Sequence, residues 1–186
     1  MEFWDIYDAD KKPTGRTMKR NDWCLKDGEY HLTVLGVVAR PDKTFLITKR
    51  VMTKAWAPGW WEVSGGAAQA GEESRDAVLR EVKEETGLYV RPESICELGE
   101  IIELHRDIFE PDKKFICHSL FFYCDVLDEQ APLSLTPSEI AKGYQLKWAT
   151  PEEVYHRNIL IEKDSWIIRD TAFVKMLMDG KICLPG

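Results

Sequence analysis

Residues 66 to 88, GAAQAGEESRDAVLREVKEETGL, place the tightest constraint on this chain. Gly66 is followed after five residues by Glu72, and after seven more by Arg80-Glu81-Val82; Glu84-Glu85 and Gly87-Leu88 close the stretch. Seven fixed letters at such spacing arise by chance on the order of 10⁻⁸ per frame. Glu72 to Thr86 reads as a helix stopped by Gly87. On a wheel of about 100° per residue, Glu84 and Glu85 fall within roughly 60° of Glu81, so three carboxylates share one face. Ser74 and Ala77 lie on that face one to two turns earlier, while Val78, Leu79, Val82 and Thr86 form a neighbouring stripe suited to packing on a sheet.

Carboxylates three and four residues apart repel, and near a helix C-terminus they also oppose the dipole. A chain selected only for stability would not be built this way. A bound divalent cation removes the conflict, and clustered hard oxygen donors suit Mg²⁺ or Mn²⁺. Mg²⁺ keeps several waters and shares its remaining positions with phosphate oxygens, so three carboxylates suffice. Arg80, one turn before Glu84, is placed to orient a glutamate through charge-assisted hydrogen bonds. Glu72 lies about half a turn away from Glu81 and is placed to organise the preceding loop. Gly65 and Gly66 either offer a backbone carbonyl to the cation or simply make a tight turn.

Composition narrows the partners. A net charge of −7 over 186 residues opposes binding to a nucleic-acid polymer, which needs many phosphate-neutralising cations. It leaves room for a small anionic ligand held by metal and a few local cations. Five cysteines without a Cys-x-x-Cys pair argue against a disulfide framework and suit a reducing, cytoplasmic compartment. The opening MEFWDIYDADKK lacks the basic and apolar regions of a signal peptide, and no apolar run is long enough to span a bilayer.

The rest of the chain reads as short apolar strands between turns: 3 to 7, 31 to 39, 44 to 50, 60 to 63, 97 to 105, 115 to 125 and 145 to 149. Residues 1 to 30 form an N-terminal hairpin extension. Thr150-Pro151-Glu152-Glu153 is a helix start, and a last helix occupies about 164 to 178, within 160 to 180. The expectation is one α+β domain spanning 1 to 186. The hairpin and the last helix either cover the sheet or form a homodimer interface.

The spacing Gly-x5-Glu-x7-Arg-Glu-U-x-Glu-Glu-x-Gly-U, with U aliphatic, is the Nudix box, and the chain resembles a Nudix hydrolase. Pro58-Gly59-Trp60-Trp61 and Gly65-Gly66 before the box, and Gln145 to Glu153 after it, extend the resemblance over roughly residues 1 to 155. The resemblance implies an α/β/α sandwich with the box helix packed on a mixed sheet. It also implies metal-dependent hydrolysis of a nucleoside diphosphate linked to another moiety. The implied metal ligands are Glu81, Glu84, Glu85 and the Gly66 carbonyl. Glu84, Glu85 and Arg80 are the catalytic set, with Glu139 the outside candidate for a base or ligand. Lys49, Arg50 and Lys54 would contact phosphate. Trp61, from the cluster Trp56, Trp60 and Trp61, is the candidate for stacking on a base, with core packing as its competing role.

Two rival readings come from other classes. The segment FWDIYDADKKPTGRTMKR resembles the opening of the isopentenyl-diphosphate-isomerase-like branch of the superfamily. Those isomerases carry a cysteine ahead of the helix, where this chain reads WWEVSGG, and their box is degenerate. A non-catalytic ligand-sensing domain would tend to lose the box glutamates, which this chain retains.

Overall fold

The computed structural model describes the chain except residues 21, 23, 53–57, 107–111, 113, 132–143, 162–168 and 186, with only the backbone at 114 and 115. Its central layer is a four-stranded sheet in the order β6 (Ser64–Ala67), β3 (Thr33–Val38), β9 (Lys114–Cys124), β8 (Cys96–Arg106). β3 and β9 run parallel, whereas β6 and β8 join antiparallel, so the sheet is mixed. A second group pairs β11 (Gln145–Ala149) with β4 (Phe45–Lys49), and β4 with β5 (Trp61–Glu62).

The alternation within β3 decides the layers. Val34 and Val38 face one side and pack with Ala77, Val78 and Val82 of helix α1 (Ser74–Thr86). Leu35 and Val37 face the other side. They pack with Val154 of α2 (Pro151–Leu160) and with Phe173 and Val174 of α3 (Arg169–Met178). Each buried Val or Leu contributes about 1.5–3 kcal/mol, enough to make the two-period strand pattern direct an α/β/α sandwich. Phe121 and Phe173 stack with centroids 4.2 Å apart and bind α3 to the sheet.

Several boundaries differ from the sequence expectation. Helix α1 starts at Ser74, not Glu72, because Glu72 closes a turn in which its amide donates to the Gln69 carbonyl. The glycine-rich segment 64–67 is strand β6, held by pairing with β3 in spite of poor strand propensity. Two short strands, β7 (Leu88–Val90) and β10 (Val126–Gln130), pair with each other and escaped notice because β10 is largely exposed and polar. The last helix is described from Arg169; the expected residues 164 to 168, with Trp166 and Ile167, lie outside the described residues. Thr150 caps α2 as expected, in a reciprocal capping box with Glu153 and Pro151 at the first helical position. Gly87 ends α1 in a left-handed conformation (φ 72°) that other residues adopt at a cost. Among the described residues no helix is long and apolar enough to cross a membrane.

The N-terminal hairpin pairs β1 (Phe3–Tyr7) with β2 (Pro13–Lys19). A cavity of about 200 Å³, lined by Tyr7, Lys11, Tyr30, His31, Glu73 and His118 among others, lies beside it at the amino end of α1. His31 stacks on Trp4 at 4.7 Å, and burial pushes its pKa down to about 4. A neutral folded His31 against an unfolded value near 6.5 means the unfolded chain binds the extra proton between those values. Its contribution is therefore intact above about pH 6.5 and is lost as pH falls towards 4, by up to about 3 kcal/mol. We expect urea midpoints measured across this window to fall less steeply with acidification in His31→Phe than in wild type. The difference between the two curves isolates His31 from the carboxylates that titrate nearby. Parallel curves would show that His31 carries no such linkage.

Candidate active site

Helix α1 turns its charged face towards β6 and presents three carboxylates in graded surroundings. Glu81 lies against Gly66: a Cβ at that glycine would meet the Glu81 carboxylate and push it aside. Its Oε1 accepts from Arg80 Nη1 at 2.8 Å. Burial raises the Glu81 pKa against the opposing pull of Arg80. Glu84 is the open member, 58% exposed at its side chain, with Arg80 Nη1 at 3.4 Å. Glu85 is buried deepest, and the Gly65 amide donates to its Oε2 at 3.2 Å. Burial first, then the nearby Glu62 and Glu81 charges, push its pKa up to about 8. Tyr144 donates to the Glu85 backbone carbonyl at 2.6 Å.

Arg80 fastens this face to the loop before it. Its Nε and Nη2 donate to Glu72 Oε1 and Oε2 at 2.9 and 2.8 Å, and Nη2 also reaches the Ala67 carbonyl at 3.1 Å. The planar fork suits a bidentate carboxylate contact that a lysine could not duplicate. Glu72 in turn accepts from the Gln69 amide at 2.8 Å. Arg80 and Glu72 thus tie the loop to Glu81. The hairpin adds a second anchor: the Ala70 amide donates to the Phe3 carbonyl at 2.8 Å, and the Gly71 amide to Asp5 Oδ2 at 2.6 Å.

Behind Glu85 lies a buried charge network that the sequence did not announce. Glu62 accepts from Arg50 Nη1 at 2.9 and 3.3 Å and stands 3.6 Å from Arg169 Nη2. Arg169 Nε donates to Asp170 Oδ2 at 3.0 Å, and Asp170 Oδ1 accepts from the Val63 amide at 3.0 Å. Burial raises the Glu62 pKa, with Asp170 adding to it and the two arginines opposing. Asn158 of α2 completes the support by pairing both ways with the Trp61 backbone, at 3.0 and 2.8 Å. The far-side helices α2 and α3 therefore fix the strand leading into Gly65-Gly66. Glu62, Asn158, Arg169 and Asp170 escaped sequence reading because their partners lie about 100 residues away, beyond any local spacing rule.

The remaining expected residues scatter. Lys49 stands over the Trp61 ring, 5.9 Å from its centroid, and Arg157 at 5.6 Å. Trp61 is 6% exposed and belongs to the core facing α2 and α3. Arg50 is ion-paired with Glu62. Lys54 and Glu139, like Trp56, lie outside the described residues.

The oxygen donors of this face match a hard divalent cation: two desolvated, mutually repelling carboxylates, a third open to solvent, and a backbone held close by Gly66. Among the described residues no three acidic, His or Cys groups already enclose a common metal position.

The fold and this loop-helix motif have counterparts. The NUDIX domain family matches residues 29–170. A Nudix hydrolase of Listeria monocytogenes is 36% identical over 91 residues, 48% of this chain and 53% of the relative; the chain spans about half the length of its Listeria relatives. The nucleoside triphosphatase NudI of Escherichia coli is 21% identical over 127 residues, 68% of this chain and 87% of that protein. The crystal structure of DR0079 from Deinococcus radiodurans superimposes with a TM-score of 0.64 at 18% identity, covering 94% of this chain and 98% of that one. The chain belongs to the Nudix family.

Proposed function

We propose that residues 1–186 act as a single-domain, divalent-metal-dependent hydrolase of a diphosphate linkage in a nucleoside diphosphate joined to a second moiety. The observation that carries this reading is the convergence of Glu81 and Glu85 on the Gly65-Gly66 backbone, with Glu84 open beside them. Glu81, Glu84, Glu85 and the Gly66 carbonyl would hold Mg²⁺, with Mn²⁺ as a substitute. When bound, the cation offsets the charge of the diphosphate and lowers the pKa of the attacking water.

The protein's own part is positioning. Arg80 and Glu72 hold the loop so that the carboxylates and the backbone keep their spacing. Burial raises the Glu85 pKa to about 8 and a bound cation would hold it deprotonated; Glu85 and Glu139 are the candidate bases. Lys49, Arg50 and Lys54, which precede the box, are the candidate phosphate contacts. The similarity to a nucleoside triphosphatase supports a nucleotide-derived substrate. The five free thiols support a reducing, cytoplasmic setting.

The test is a product assay over nucleoside diphosphate derivatives and prenyl diphosphates, with Mg²⁺ and with chelator, in ¹⁸O-labelled water. The expected result is metal-dependent anhydride cleavage with label on a phosphate product. Isomerised prenyl product without cleavage, or nucleotide binding without turnover, would overturn the reading.

A further inference from the structure

The cavity beside the N-terminal hairpin is not built like a gap left by packing. Leu32 and Leu120 give it an apolar floor, and its walls carry polar groups that the fold leaves uncommitted. Tyr7 and Tyr30 exchange backbone bonds at 2.8 and 2.9 Å, so their rings leave the same side of the hairpin. Among the described residues neither phenol has a hydrogen-bond partner, and the Ser74 hydroxyl and the Glu73 carboxylate at the start of α1 have none either. His118 bonds Glu100 through Nδ1 at 2.7 Å and leaves Nε2 over. Gaps left by packing are lined by apolar atoms, whereas ligand pockets set a few convergent polar groups into an apolar shell.

Charge and size narrow the occupant. Lys11 bonds Glu100 at 2.8 Å, and the same carboxylate holds His118. Asp8 turns Oδ1 to the Asp10 and Lys12 amides at 2.9 and 3.0 Å. The cation of the cavity is therefore paired, while Glu73 remains as an acceptor. That favours an N–H donor and disfavours a phosphate. Drug-sized ligands occupy about 300–1,000 Å³. The present cavity, about 200 Å³, takes one bicyclic ring system.

We infer that this cavity is a second small-molecule site, which binds a neutral nitrogen heterocycle of nucleobase size through its N–H edge and, when filled, holds the hairpin on the catalytic loop. Glu81 to Glu85 lie seven to eleven residues beyond Ser74, about 10–17 Å along the helix axis, so the site is separate from the carboxylate face. Its coupling to the loop runs through bonds already described. One wall belongs to the hairpin that anchors Ala70 and Gly71 through Phe3 and Asp5. The other begins at Glu73, next to the Glu72 that pairs with Arg80. A ligand touching both walls favours the docked hairpin. Binding does not depend on the hydrolase reading; its consequence for catalysis rests on that reading.

The test titrates the full chain, without metal, with adenine, cytosine and N6,N6-dimethyladenine, by calorimetry and amide chemical shifts. Adenine and cytosine should bind with Kd on the order of 0.1–1 mM, with shifts centred on Tyr7, Tyr30 and Ser74. Dimethyladenine, which lacks the exocyclic N–H, should bind about 3- to 10-fold more weakly, and so should adenine to Y7F or Y30F. A9W, a change at an exposed turn position on the cavity wall, should abolish binding at unchanged Tm; if it does not fold, the two phenylalanine variants carry the test. With adenine at saturation, hydrogen exchange at Ala70 and Gly71 should slow by about 3- to 10-fold. No binding up to the solubility limit, shifts centred on Gly65 and Gly66, displacement of adenine by inorganic phosphate, or affinity unmoved by all three variants would overturn the site. Unchanged exchange at Ala70 and Gly71 would overturn its coupling to the loop. None of these measurements uses turnover, so an empty cavity leaves the hydrolase reading standing, and failure of the product assay leaves the cavity site standing.

Discussion

Replacing Glu85 by glutamine should lower kcat by about three orders of magnitude while leaving a folded protein that is more stable than wild type when metal is removed. Three decades correspond to about 4 kcal/mol of barrier, the scale expected when charge stabilisation at the reacting phosphorus is lost. The gain in stability has a separate cause. Glu85 is desolvated and faces Glu62 and Glu81, so its charge is a burden on the empty site. Glutamine keeps the shape and can still accept from the Gly65 amide. Steady-state rates and thermal unfolding with and without Mg²⁺ check both halves. Wild type should gain Tm on adding Mg²⁺, and the variant should gain less. Unchanged turnover would remove Glu85 from the catalytic set, and a lower metal-free Tm would refute the electrostatic account of its burial.

Arg169→Met should be the most damaging single change outside the cores, lowering stability by about 3–5 kcal/mol. The guanidinium is 8% exposed and lies among Glu62, Asp170 and Glu103. Removing it leaves those carboxylates buried with one cation, Arg50, on Glu62 alone. At roughly 2–4 °C per kcal/mol for a chain of this size, Tm should fall by about 10 °C. Adding Glu62→Gln to Arg169→Met should restore part of the loss, because one of the abandoned charges is then gone. Additive effects of the two substitutions would show that Glu62 and Arg169 do not communicate.

The two predictions divide what could be read from sequence. The Glu85 site was legible because its logic is local: a fixed spacing on one helix converts directly into a shared face. The same holds for the capping box at Thr150 and for β3, whose alternation encodes two opposite cores. The network around Arg169 was not legible, since Glu62, Asp170 and Glu103 come from β5, α3 and β8 and meet only through tertiary packing. Strand β6 misled for a related reason. Gly65 and Gly66 look like a turn in isolation, yet pairing with Leu35 and Val34 makes them strand. At Glu103 the apolar alternation of β8 would place the residue outside, and the structure places it inside. Local periodicity failed where the charge of Arg169, on a helix across the core, draws a carboxylate inward.

The bonds from Phe3 and Asp5 to Ala70 and Gly71 also bear on the order in which this protein matures. The Asp5–Gly71 contact closes over 66 residues, so it forms only once the segment between them, β3 to β6, has been brought together. In refolding, tertiary fluorescence should recover before catalytic competence, and an N-terminal extension that hinders docking of the hairpin should lengthen that lag without preventing the sandwich from forming.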